Sequence, residues 1–158
     1  MLSMSDGMIL MRVAVAAVLG MVVGLERMGA GAPIRARTFA LVAMTTTLLM
    51  AVSVETYGME SSRVVQGLVT GMGFLGAGII LHSAAGEVHG LTTAATLWAM
   101  GAIGIVIGSG HILLGILVTA LLVAFIMLSD SSMIARALNW GTERKDRNAG
   151  RRDGHPLP

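Results

Sequence analysis

Long stretches of this chain carry no Asp, Glu, Lys or Arg and are filled by apolar residues, glycine and a few hydroxyls. They predict helices at residues 9–25, 38–54, 64–81, 91–110 and 112–128. Each is roughly 17 to 20 residues, which at ~1.5 Å rise per residue just reaches across a ~30 Å hydrocarbon core. Helices satisfy their own backbone polar groups, as lipid demands of any span. The expected fold is therefore all-α and polytopic, a five-helix transmembrane domain over residues 1–128 with a short tail at 129–158. Gly108-Ser109-Gly110-His111 leaves room only for a tight hairpin between the last two helices. The first run reads as a retained helix rather than a signal peptide, since Asp6 precedes it and Gly24-Leu25-Glu26-Arg27 is no small-residue cleavage site. Arg12, one turn from its end, is expected to snorkel to the headgroups.

Composition agrees with a lipid-facing surface. The 158 residues are 54% hydrophobic and 13% charged, with 21 glycines, no cysteine and a formal net charge of +2, whereas soluble surfaces are about 25–35% charged. The charge also sets an orientation. The 26–37 loop holds Arg27, Arg35 and Arg37 against Glu26; the 55–63 loop holds Glu55 and Glu60 against Arg63; and a basic tail follows Ile134. The positive-inside rule then places the N-terminus outside and the C-terminus inside. In the tail, residues 131–140 predict an interfacial helix with Ile134, Leu138 and Trp140 toward the bilayer, followed by disorder. Asp130, Glu143, Asp146 and Asp153 interrupt its positive charge, which argues against nucleic-acid binding.

The glycines form stripes. Gly67, Gly71 and Gly78 fall within about 40° on the third helix, with Gly73 and Gly76 roughly opposite, and Gly101, Gly104 and Gly108 share a stripe about 60° wide on the fourth. Small residues let helices approach closely in lipid. A helix smooth on two faces is expected at the bundle centre, so the third helix is placed there. Packing alone accounts for such stripes. A second reading is that the run from Gly71 to Gly78 breaks the helix near mid-membrane, so that carbonyls and the Thr92, Thr93 and Thr96 hydroxyls line a polar cavity.

Charged candidates are few. Glu26 paired with Arg37 would tie the first two helices together, with Arg27 beside them. His82 and His89 flank Glu87 at a spacing that matches no standard zinc pattern, and the metal assignment is left unknown. The 13 methionines are scattered and read as apolar filling. No nucleophile triad or carboxylate pair can be assembled from the spacing, so no enzyme activity and no cofactor are expected.

Three blocks carry a resemblance: Gly24-Leu-Glu-Arg27 running to Arg37-Thr38; Val65-Gln-Gly-Leu-Val-Thr-Gly-Met-Gly-Phe-Leu-Gly-Ala-Gly-Ile-Ile80; and Gly90-Leu-Thr-Thr-Ala-Ala-Thr-Leu-Trp98. Over about residues 9–128 the chain resembles the transmembrane domain of the MgtC/SapB family of bacterial inner-membrane proteins. The resemblance implies a five-helix domain in the inner (plasma) membrane, associated with magnesium limitation and virulence. It implies regulation or binding of another membrane protein, such as ATP synthase, or alternatively direct Mg2+ transport. Small size and glycine content are compatible with a homo-oligomer. The chain departs from the family pattern at Met28, Ala32, Arg35 and His89, and its short tail leaves any partner contact to the membrane surface, Glu26, Arg27, Arg37 and the 82–90 loop.

Overall fold

A computed structural model describes residues 4–81 and 90–129. The expectations for the 82–89 segment, with its two histidines, and for the tail from residue 130, with its interfacial helix, fall outside them. The described residues form α1 (Met4–Gly29), α2 (Ala36–Tyr57), α3 (Ser62–Leu81), α4 (Leu91–Gly108) and α5 (Ile112–Ser129), with one 3-10 turn, Gly58–Ser61, before α3. All five α-helices are long and apolar enough to cross a membrane. The chain falls into two compact units, Met1–Ala120 and Leu121–Pro158, so α5 begins in the first and ends in the second.

Several helices outrun the apolar stretches that announce them. Glu26 and Arg27 continue α1, and Glu55 continues α2. Charged side chains at a helix end reach water while their backbone stays helical, so hydropathy marks the lipid boundary and not the last turn. Two reverse turns stop the helices by the same device. After α1, Gly31 has φ +83, and the N–H groups of Gly31 and Ala32 donate to the carbonyls of Met28 and Arg27 at 3.1 and 2.9 Å. After α4, Gly110 has φ +101, and Gly110 and His111 donate to Ile107 and Val106 at 3.0 and 3.1 Å. Each is a Schellman cap, with glycine at the left-handed position and two terminal carbonyls satisfied.

Within Met1–Ala120, α2 and α4 form the centre, α1 packs on α2, and α3 packs mainly on α4. Backbone approach sets these contacts. A Cβ at Gly20 would stand 2.7 Å from Ala40 Cα, and one at Gly24 would stand 2.6 Å from Ala36 Cα, so α1 and α2 meet through small residues running antiparallel. On α4, a Cβ at Gly104 would strike the Thr46 hydroxyl and come within 2.8 Å of the Ala43 carbonyl. A Cβ at Gly108 would lie 2.6 Å from the Thr47 carbonyl. The Thr47 hydroxyl donates to the Gly104 carbonyl at 3.0 Å, fastening the parallel pair α2 and α4.

The centre is therefore α4 against α2, and the placement of the third helix there is corrected. Cβ atoms at Gly67, Gly71, Gly73 and Gly78 would meet nothing within 4 Å, and one at Gly76 only the Ala94 Cβ at 3.9 Å. Glycine permits close approach without compelling it, and in this chain the approach is made by α1 and α4. Nor does the run from Gly71 to Gly78 break its helix, because α3 is continuous. Helical hydrogen bonds are the only backbone satisfaction lipid allows there.

The contrast gives a stability prediction. Unfolding of dilute monomer in mixed detergent micelles, followed by helical circular dichroism, should show G104A destabilised by ~1–3 kcal/mol through overpacking. The same measurement should find G71A neutral or stabilised, by up to ~1 kcal/mol, because alanine is the better helix former and meets no neighbour.

Candidate functional site

The candidate residues lie at three places. At one end of the helices, the last turns of α1 present Glu26 and Arg27. Their carboxylate and guanidinium form a two-pronged pair, Nε to Oε2 at 2.9 Å and Nη2 to Oε1 at 3.2 Å. Arg27 is only 4% exposed and has further interactions besides. Arg37, one residue into α2, is exposed. The expected partnership of Glu26 with Arg37 is thus replaced by Glu26 with its neighbour Arg27. Two long side chains at a helix end can bend together although adjacent positions do not share a face. Fork geometry then favours arginine on a carboxylate.

The α4 threonines form the second place. Thr93 and Thr96 are buried and Thr92 is exposed. The Thr96 hydroxyl donates to the Thr92 carbonyl at 2.7 Å, inside its own helix. Neither of the two cavities described here is lined by Thr92, Thr93 or Thr96. Of the α4 glycines, Gly104 and Gly108 take α2, and Gly101 takes the Met72 methyl, 2.7 Å from where its Cβ would be.

The third place is the α3 face. Between α2 and α3 runs a lateral groove of about 330 Å³, walled by Thr38, Leu41, Thr45, Gly67, Gly71 and Leu75 among others, and mostly apolar. Gly67 and Gly71 form its bare floor, and Phe74 on the same helix is 82% exposed. No group of three His, Cys, Asp or Glu side chains able to hold a metal occurs among the described residues.

Comparison with known proteins decides the family. The MgtC family model matches residues 13–133. This chain belongs to the MgtC family. Among its relatives, SrpB of Synechococcus elongatus is 43% identical over 122 residues, covering 68% of this chain and 67% of that protein. The Escherichia coli K12 protein named "Putative magnesium transporter YhiD" is 41% identical over 116 residues, covering 68% of this chain and 54% of that protein. MgtC of Salmonella typhimurium is 38% identical over 96 residues, covering 61% and 41%. This MgtC-family chain thus spans about half the length of several of the curated relatives it matches. No solved structure matches it. Family membership and the five spanning helices make it a multi-pass membrane protein.

Two features escaped the sequence reading. The Gly20/Gly24 pair against Ala36/Ala40 is a small-residue match that becomes visible only when both helices are examined together. Arg12 has a protein partner that its own helix does not announce: its Nη1 donates to the Gly108 carbonyl at 3.1 Å, placing a cation on the C-terminal end of α4, where the helix dipole favours it.

The Glu26–Arg27 pair predicts an asymmetry between Glu26 and Arg37. E26Q should destabilise the protein by ~1–3 kcal/mol in the same detergent titration, because a buried guanidinium loses its carboxylate. R37Q should stay within ~0.5 kcal/mol, as for other surface substitutions.

Proposed function

We infer that this chain acts by binding, and so regulating, another protein of the bacterial inner membrane under magnesium limitation. The observation that carries this reading is the glycine face of α3, where a Cβ added at Gly67 or Gly71 would meet nothing within 4 Å. In lipid no hydrophobic force draws helices together, and small residues are the usual means by which one helix closes on another. Such a face, floored by Gly67 and Gly71 and grooved beside α2, accepts a transmembrane helix of a partner. The magnesium connection rests on family membership and on the name that YhiD carries.

Direct Mg2+ transport is the rival reading, favoured by that same name. Its physical difficulty is the ion. Mg2+ sheds water reluctantly and takes carboxylate oxygens at near-octahedral geometry. The predicted spans 38–54, 64–81, 91–110 and 112–128 contain no Asp or Glu, and a charge at membrane depth is costly without such compensation.

Crosslinked capture from native membranes tests the interaction, with Mg2+ uptake into proteoliposomes measured beside it. Wild type should retain a discrete membrane protein that a G67L/G71L variant of unchanged helicity loses, and its uptake should equal that of empty vesicles. Saturable uptake above that blank, or capture that survives G67L/G71L, would reject the reading.

A further inference from the structure

At the end of the helices opposite Glu26 and Arg27, α1 and α2 border an open cavity of about 180 Å³ whose walls include Ser5, Met8, Ile9, Arg12, Val54 and Glu55. We propose that it binds the headgroup of an aminophospholipid, with the phosphodiester on Arg12 and the primary ammonium on Glu55.

The first reason is a pair of opposite charges that do not close on each other. Arg12 and Glu55 line the same cavity, yet no ion pair joins them, whereas Glu26 and Arg27 show how tightly the two groups join when geometry allows. A ligand carrying both signs, anion and cation a few bonds apart, could meet both groups. The second reason is the state of the guanidinium. Its Nη1 rests on one neutral carbonyl, that of Gly108, and the guanidinium makes no ion pair with a described carboxylate. A cation near lipid calls for more compensation than one carbonyl gives. Phosphate oxygens meet a guanidinium in its own planar fork geometry.

Size and depth narrow the ligand. The volume is on the order of six waters at ~30 Å³ each, room for a headgroup and not for a lipid body. Arg12 stands level with the end of α4, two turns inside the start of α1, and Met8, Ile9 and Val54 give the cavity an apolar wall. Headgroup level with an apolar flank is where a phospholipid presents its phosphate. A glycerol headgroup would leave the Glu55 carboxylate without a cation. A choline headgroup carries a cation with no N–H to donate.

The full chain, reconstituted into nanodiscs of equimolar phosphatidylethanolamine, phosphatidylglycerol and phosphatidylcholine, would be extracted in neutral detergent and its retained lipids weighed by native mass spectrometry. Wild type should keep phosphatidylethanolamine over each of the others by about tenfold, the ratio that ~1.4 kcal/mol gives. E55Q, altered at an exposed position, should level phosphatidylethanolamine with phosphatidylglycerol, and R12K should lower phosphatidylethanolamine retention. Equal retention of the three lipids by wild type, or an E55Q protein that keeps the preference, would overturn the proposal. So would R12K with undiminished retention. Because R12K also disturbs the α4 cap, E55Q keeps the test decisive if R12K fails to fold. Millimolar glycerophosphoethanolamine shares the headgroup chemistry without the acyl chains; if it displaces the lipid completely, the ligand is a soluble phosphoethanolamine compound and the lipid assignment fails.

Discussion

Lipid tails are as apolar as leucine, so nothing like the hydrophobic effect in water presses these helices together. What holds α2 to α4 is backbone approach, made possible where Gly104 and Gly108 lack side chains and Ala43, Thr46, Thr47 and Ala51 fill the space. Close approach brings the Thr47 hydroxyl onto the Gly104 carbonyl, a bond available only between backbones this near. Such interhelical hydrogen bonds are worth on average ~0.6 kcal/mol, so the pairing rests on dispersion summed over the whole contact, and the bond fixes its register. Packing of α1 follows the same rule through Gly20 and Gly24. Helix α3, where a Cβ at Gly67, Gly71 or Gly73 would meet nothing within 4 Å, sits outside the rule and is held chiefly by Met72 and its neighbours against α4.

That arrangement also settles where charges can stand. Arg27 is buried because α1 closes on α2 at Gly24, and it survives burial because Glu26 forks onto it. Arg12 is drawn inward at the other end because α4 stops there, offering carbonyls that its own helix no longer uses. Both arginines thus sit at helix termini, where free backbone groups and a neighbouring carboxylate or carbonyl lower the cost of keeping a cation.

The five spans were legible because lipid imposes one demand, an unbroken apolar helix, and hydropathy reports it directly. The family was legible from the blocks around Gly71 and Thr92, and the α4 stripe from the spacing of Gly101, Gly104 and Gly108. What the spacing could not supply was identity of the neighbour. Stripes on α3 and α4 look alike in sequence, yet only the α4 stripe meets α2, because contact depends on complementary small residues such as Ala43 and on the path of the chain. The pairing of Glu26 with Arg27 was hidden for a similar reason: helix-face arithmetic discounts adjacent residues, while side-chain length and a helix end override it. The Arg12 contact was hidden because snorkelling considers one helix against lipid and ignores a second helix that ends beside it.

The unequal lengths of the helices have a consequence for the end of the domain where α1 begins. Helix α1 has 26 residues and α4 has 18, so they are about 39 and 27 Å long. Arg12 binds the last residue of α4, and therefore the first two turns of α1 project beyond it by ~12 Å. Exposed Met4, Met8, Leu10 and Met11 cover that projection. Past Gly108, α1 therefore continues toward its start without α4 beside it. Methionine side chains are unbranched and adaptable, so the overhang presents a surface that can fit whatever surrounds the domain at that end.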